Sequence, residues 1–315
     1  MPNQPAPANN KVALEPKQFD AYIEAIKLSG ADIVSLNSDV HALVWTDYSR
    51  PDLLEEAIAG NPQLNWVQLP FAGVDAFSEI IAKNQNIAFS SAKRSYSEPV
   101  AEHALMLCMA LGRILPERIR AKSWGKKYAD SLFDEKVVIV GGGGIAQQLV
   151  DLLSPFRSIV TIVRKRPEEP FSNSPTSKVV GFQQLESEVA QAKFVVLACA
   201  LTDETRFLFD RNLLSKMRKD AYLVNVARGE VVNQEDLVEA LKQGVIAGAA
   251  VDVTYPEPLP DNHPMWLIPN LIITPHTADT MPIVTRLFAQ RLRENVTAYL
   301  AGKPLTGLVD PELGY

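Results

Sequence analysis

Cysteine is almost missing from this chain: two occur in 315 residues, Cys108 and Cys199, each inside an apolar run. That excludes a disulfide framework, and neither thiol has His or Cys neighbours at ligand spacing, so no metal site is expected. Buried thiols suit a reducing compartment, which points to the cytoplasm. Long apolar runs are missing as well. In the central helical stretch the longest, Ala104 to Leu111, falls far short of the roughly 20 residues a membrane span needs. Met1 to Asn10, rich in Pro and Asn, has neither the charged flank nor the apolar core of a secretion signal and reads as a short disordered lead-in. Positive charge is in deficit, with 31 Lys and Arg against 37 Asp and Glu for a net −6. Nothing in that balance could neutralise a nucleic-acid backbone, so nucleic acid is not an expected partner. The 47% hydrophobic and 22% charged fractions are otherwise ordinary for a globular protein, and the length is enough for two domains.

What the sequence does have is a centre, Glu135 to Val150. The β-branched run Val137-Val138-Ile139-Val140 empties into Gly141-Gly142-Gly143-Gly144 and then into an amphipathic stretch, which reads as buried strand, tight turn and helix N-terminus. Gly141, Gly143 and Ala146 fit the G-x-G-x-x-G/A spacing. The first permits the sharp turn, the second lets backbone approach a pyrophosphate, and the small third residue allows helix and strand to pack closely. Unpaired N–H groups at the positive end of the helix dipole would then hold the phosphates.

On either side, β and α signals alternate. Lys11–Leu14, Asp32–Val34, Ala42–Trp45 and Leu64–Pro70 read as strands, with helices over Gln18–Ser29 and Pro51–Ala59. The last of these strands runs into Phe71-Ala72-Gly73-Val74-Asp75. Loops at the carboxyl ends of parallel strands are where α/β proteins bind ligands, so the N–H groups of Ala72, Gly73 and Val74 are candidates to hold a carboxylate. A long helix is expected from Pro99 to about Lys122, bent at Pro116. His103 lies on it and reads as a packed or hydrogen-bonded structural residue. After the glycines come strand signals at Ser158–Val163, Lys178–Val180, Phe194–Ala198, Ala221–Asn225, Ile246–Val251 and Leu271–Thr274, with helices such as Gln183–Ala192 and Gln234–Gly244 between them. With Val137–Val140 these make seven strands, enough for a complete dinucleotide-binding domain. A last helix, from about Pro282 to Ala301, is bounded by Pro and Gly and is expected to return to the first domain.

One more absence bears on the cofactor. Where a NAD-binding chain carries an acid for the ribose 2′-OH, at the end of the second strand, this sequence has Arg164, Lys165 and Arg166. A basic triplet would pair with a 2′-phosphate through charge-assisted hydrogen bonds, so NADP(H) is expected to be preferred, with NAD(H) possible.

Several further blocks stand in order: Val196 to Thr205, Val224-Asn225-Val226-Ala227-Arg228-Gly229, Asp252-Val253 with Glu257-Pro258, and Thr274-Pro275-His276-Thr277-Ala278. Together they resemble the D-isomer-specific 2-hydroxyacid dehydrogenases, over nearly the whole chain. The resemblance implies two Rossmann-like, doubly wound α/β domains with parallel sheets and a cleft between them. Residues 1–98 with 280–315 would bind substrate and 99–279 the dinucleotide. It implies that Arg228 binds the substrate carboxylate and polarises the 2-oxo group, that His276 is the acid/base, and that Glu257 orients and charges the imidazole. Asp252 would hold the nicotinamide carboxamide. Gly144 and Ile145 would meet the pyrophosphate, while Ala200, Leu201, Thr205, Val226, Ala227, His276 and Ala278 would line the cofactor. Phe71, Tyr96 and Trp124 are candidate pocket walls, though aromatic residues at such places more often serve packing.

Two positions depart from the commonest family pattern: Ala146 stands as the third small residue, which the fold accepts, and Arg164 replaces the ribose acid, which resembles the NADPH-preferring glyoxylate and hydroxypyruvate reductase branch. The expected activity is therefore hydride transfer between NAD(P)H and a small 2-oxo or D-2-hydroxy acid, in a homodimer. The alternatives are a formate dehydrogenase, where a neutral glutamine would partner the histidine, and a non-catalytic dinucleotide sensor of the corepressor kind.

Overall fold

The computed structural model describes residues 5–125, 127–171 and 177–310. Its chain divides into two compact units, residues 1–96 with 280–315 and residues 97–279. Each is built on a parallel sheet.

In the first unit β1 (Lys11–Glu15), β2 (Asp32–Ile33), β3 (Ala42–Trp45), β4 (Trp66–Gln68) and β5 (Ala88–Ser90) lie in the order β2-β1-β3-β4-β5, with α1 (Asp20–Leu28), α2 (Pro51–Ala59) and α3 (Ser78–Lys83) as connections. The strands are nearly continuous buried apolar residues, as a parallel sheet covered on both faces requires. β4 is shorter than the stretch Leu64–Pro70 suggests. β5 and α3 carry no strong sequence signal, because three-residue strands and single-turn helices leave too little periodicity to read. The lead-in is only partly as expected. Met1–Gln4 lie outside the described residues, but Ala6 O accepts from Asn65 Nδ2 at 2.8 Å and Asn9 Nδ2 donates to Asp39 O at 2.7 Å, so the rest is hydrogen-bonded onto the unit.

The second unit opens with α4 (Ser97–Gly112) and α5 (Leu115–Arg120). The single helix bent at Pro116 is thus a break two residues earlier, at Ile114, whose φ is +49°. Proline has no N–H and its ring clashes with the preceding turn, so a fresh helix starting just before Pro116 accommodates it where a continuous one could not. Seven parallel strands follow, β6 (Lys136–Val140), β7 (Ile159–Val163), β8 (Lys178–Val180), β9 (Phe194–Leu197), β10 (Tyr222–Asn225), β11 (Gly248–Val251) and β12 (Leu271–Ile273), in the order β12-β11-β10-β9-β6-β7-β8. The order reverses beside β6, placing the glycine turn at the topological switch point. Between the strands run α6 (Gly144–Leu153), α7 (Leu185–Val189), α8 (Arg211–Lys216) and α9 (Gln234–Lys242), and α4 packs on α6, β10 and β11. α7 is half the length that Gln183–Ala192 suggests, being preceded by a 3-10 turn at Phe182–Gln184.

α10 (Met281–Leu300) packs on α1 of the first unit. No helix among the described residues is long and apolar enough to cross a membrane.

Candidate active site

Within the second unit, the carboxyl ends of β6, β9, β10, β11 and β12 carry the candidate groups. At β6, Gly141 has φ +117°, and a Cβ there would fall 2.4 Å from Ala198 O, so only glycine permits the turn. A Cβ at Gly143 would meet nothing within 4 Å, which leaves open space above the first turn of α6. No side chain caps that helix, so the N–H groups of Gly144 and Ile145 stand at an uncapped positive end. Ala146 is fully buried against the sheet.

The basic triplet follows β7. Arg164 donates to Glu169 O and lies over the Phe171 ring at 5.8 Å, and among the described residues its Nε has no hydrogen-bond partner. Lys165 pairs with Glu204 at 2.9 Å and Arg166 with Glu169 at 2.8 Å. These are exposed pairs of little net worth, readily exchanged for an anion.

β10 ends at Asn225, whose side chain staples the next turn: its Oδ1 accepts from Ala227 N–H at 3.0 Å and its Nδ2 donates to Arg228 O at 2.9 Å. Arg228 Nη1 donates to Ala227 O at 2.8 Å. A Cβ at Gly229 would lie 2.1 Å from the carbonyl carbon of Thr254, so the arginine turn presses directly on the segment leading to Glu257. Thr254 Oγ1 in turn donates to Pro256 O at 3.0 Å.

After β12, His276 takes a left-handed conformation, φ +51°, held by its N–H to Asp252 O at 2.8 Å. This puts ring Nδ1 2.5 Å from Glu257 Oε1. That hydrogen bond raises the imidazole above its ordinary 6.5, against the lowering by burial, and the charges of Glu257, Asp252 and Asp279 add to the rise. Burial pushes the Glu257 carboxyl up, yet the hydrogen bond and charge of His276 outweigh it and hold the group below its ordinary 4.5. The pair thus shifts both groups toward imidazolium and carboxylate.

Asp252, 2% exposed, organises the loop around them. It accepts from Thr274 Oγ1 at 2.5 Å, Thr277 N–H at 2.9 Å and Ala278 N–H at 3.1 Å, and His103 Nε2 lies 3.2 Å away. Burial alone would raise this carboxyl, but these partners keep it at about 2. His103 also reaches Thr274 Oγ1 at 3.0 Å, the structural placement expected of it.

Thr205 is turned inward: its Oγ1 accepts from Thr202 N–H at 2.8 Å and donates to Ala200 O at 2.8 Å, so it shapes the loop after β9 from within. Val226, Ala227 and Ala278 are buried, and Ala278 offers its N–H to Asp252. Ala200 is exposed and Leu201 half-buried on the same loop. Trp124 is 88% exposed. Two residues of the site, Asn225 and Asp279, are not evident from the sequence as site residues. The first stands inside the Asn-x-x-Arg-Gly block, while the second has no motif and shows itself only through its neighbours.

In the first unit, among the described residues, the N–H groups of Ala72, Gly73 and Val74 in the loop after β4 donate no hydrogen bond. Tyr96 OH donates to Pro70 O at 2.6 Å, and Phe71 packs edge-on to Tyr48 at 5.5 Å.

Comparison with known proteins agrees with this geometry. The family described as D-isomer specific 2-hydroxyacid dehydrogenase, NAD binding domain, matches residues 103–278. A Corynebacterium melassecola protein from the proB 3′ region is 36% identical over 271 residues, 84% of this chain and 86% of its own. The human glyoxylate reductase/hydroxypyruvate reductase is 32% identical over 258 residues, 78% of this chain and 77% of its own. Among solved structures, a Xanthobacter autotrophicus D-isomer specific 2-hydroxyacid dehydrogenase in complex with NADPH and MES superposes with a TM-score of 0.83 at 24% identity, covering 98% of this chain and 100% of that one. The chain belongs to the D-isomer-specific 2-hydroxyacid dehydrogenase family and is an NAD(P)-dependent oxidoreductase acting between 2-oxo and 2-hydroxy acids.

Proposed function

We propose that this enzyme reduces small 2-oxo acids of the glyoxylate and hydroxypyruvate type to D-2-hydroxy acids and prefers NADPH to NADH. The observation that carries the reading is the His276–Glu257 pair, 2.5 Å apart, on the same unit as the Arg228 turn. The nicotinamide, when bound, supplies the hydride. Arg228 holds the substrate carboxylate and polarises the 2-oxo oxygen with its planar guanidinium. His276 Nε2 delivers the proton to that oxygen, and Glu257 keeps the ring oriented and charged. The uncapped start of α6, Gly144 and Ile145, and the turn Gly141–Gly143 suit the pyrophosphate, and Asp252 suits the carboxamide. Ala72, Gly73 and Val74 offer three unclaimed N–H groups to a carboxylate.

Arg164, Lys165 and Arg166 support NADPH, because no carboxylate repels the 2′-phosphate there and Arg164 has an unmatched Nε. The acidic partner of His276 disfavours formate oxidation, which asks for no proton donor. Residues 1–96 with 280–315 serve the substrate and 97–279 the dinucleotide in this reading, in a cytoplasmic homodimer. The test is a panel of initial rates with glyoxylate, hydroxypyruvate, pyruvate and bulkier 2-oxo acids, each with both nicotinamides. The expected result is turnover of the small acids with kcat/KM at least tenfold higher for NADPH. A clear NADH preference overturns the cofactor reading, and tight NADPH binding with no turnover of any acid overturns the reductase.

A further inference from the structure

Arg164 reaches its place by crossing the glycine turn. A Cβ on Gly142 would fall 2.5 Å from Arg164 Cδ, 3.3 Å from its Cβ and 3.5 Å from its Cγ, so the aliphatic stem of the arginine fills the volume that any other side chain at position 142 would take. Carbon atoms rest about 3.5–4.0 Å apart, and the first of these distances is about 1 Å inside that limit. Space rather than backbone strain is what position 142 demands, because its φ lies outside the left-handed region, unlike that of Gly141 at +117°. The G-x-G-x-x-G/A spacing leaves this position free to vary, so the pyrophosphate does not account for a glycine here. The arginine does. Beyond its stem, the guanidinium lies over the Phe171 ring at 5.8 Å and donates to Glu169 O. Lys165 and Arg166 are paired with Glu204 and Glu169, whereas Arg164 has no carboxylate partner among the described residues and its buried Nε has no hydrogen bond.

We propose that Gly142 is a specificity-determining residue for the dinucleotide: its missing side chain is the slot that seats Arg164, and by seating that arginine it sets the preference for a 2′-phosphate over a 2′-hydroxyl. The inference rests on the reading of Arg164 as a ligand of the 2′-phosphate. A guanidinium holds a phosphate through a rigid fork, so reach and angle both matter. An arginine free in solvent gives up rotamer freedom when it binds; one already laid in a slot has given it up before the cofactor arrives. A methyl group at position 142 occupies the slot. Arg164 then has to turn into another staggered rotamer, which carries the fork away from the turn. A 2′-hydroxyl asks for no cation and is indifferent to that movement.

The experiment measures Kd for NADPH and for NADH by titration calorimetry on the full chain, in the unaltered protein, Gly142→Ala, Gly142→Ser, Arg164→Ala and the double variant Gly142→Ala with Arg164→Ala. Both dinucleotides use the same turn, so a general disturbance of it weakens both and leaves their ratio alone; the ratio is the readout. The unaltered protein is expected to bind NADPH at least tenfold more tightly than NADH. Gly142→Ala and Gly142→Ser, which bring in the same Cβ, should each cut that preference about tenfold, as should Arg164→Ala. Adding Gly142→Ala to Arg164→Ala should leave the ratio within twofold, since alanine at 164 has no Cδ to displace. A preference unchanged within twofold in Gly142→Ala and Gly142→Ser, while Arg164→Ala abolishes it, overturns this inference alone. So does a further tenfold fall in the double variant, which would place the effect in the turn itself. An unaltered protein without NADPH preference, or one whose preference survives Arg164→Ala, overturns the cofactor reading and this inference with it.

Discussion

His276 shows how much one residue's chemistry depends on two others. Its backbone is pinned in a left-handed conformation by Asp252 O, and its ring is charged by Glu257. In reduction the imidazolium is the active form, so activity persists above pH 6.5, the ordinary histidine value, and declines as pH rises through the raised value of the folded enzyme. Glu257→Gln removes the largest raising influence and leaves burial, which lowers. The falling limb of the kcat/KM profile for reduction should therefore move to lower pH, and an unmoved limb would show that Glu257 does not govern the ring. His276→Ala should lower kcat roughly a hundredfold or more with little change in KM, whereas Arg228→Gln should lower kcat and raise KM together. Arg228, Glu257 and His276 came forward through the family resemblance, since each lies in one of the blocks that carry it. Asp279 did not: an aspartate after a strand is unremarkable until its partial burial is known.

At the scale of elements, strands and helices were legible in proportion to their length. β6 and its glycines stood out because four β-branched residues, a turn and ten helical residues all agree. β5, three residues long, has no period to read. Its place in the first unit is secured by side chains instead. Gln68 Oε1 accepts from Ser90 Oγ on β5 at 2.8 Å and from Asn295 Nδ2 on α10 at 2.7 Å, while Asn295 also bonds Thr306 O and N–H, each at 2.9 Å. Gln68, Ser90 and Asn295 are fully buried, so removing one of them leaves unsatisfied groups away from water. Asn295→Ala should destabilise the first unit by about 3 kcal/mol. Tryptophan fluorescence reports it selectively: Trp45 and Trp66 are buried in that unit, while Trp124 and Trp266 are exposed in the other. The urea midpoint read from the buried pair should fall. A midpoint within experimental scatter of the unaltered protein would mean that α10 is held by apolar packing alone.

Across the whole molecule, apolar exposure is uneven. Met106, Met109, Leu115, Ile119, Tyr128 and Phe133 are all exposed on α4, α5 and the following segment of the second unit. A helix with a wide apolar face does not show from its sequence which side stays in water; here α4 packs on α6, β10 and β11. A cluster of large apolar side chains left in water is where a soluble chain associates with a partner. A net charge of −6 makes two copies repel at long range, so a contact between them has to be apolar at its centre. If this surface joins two copies of the chain, sedimentation at low micromolar concentration should give twice the 34.7 kDa chain mass. Met109→Asp would put two like charges near the twofold axis and should return the single-chain mass, with circular dichroism unchanged. A protein of single-chain mass at every concentration, or a dimer indifferent to Met109→Asp and Ile119→Asp alike, would place the association elsewhere or remove it.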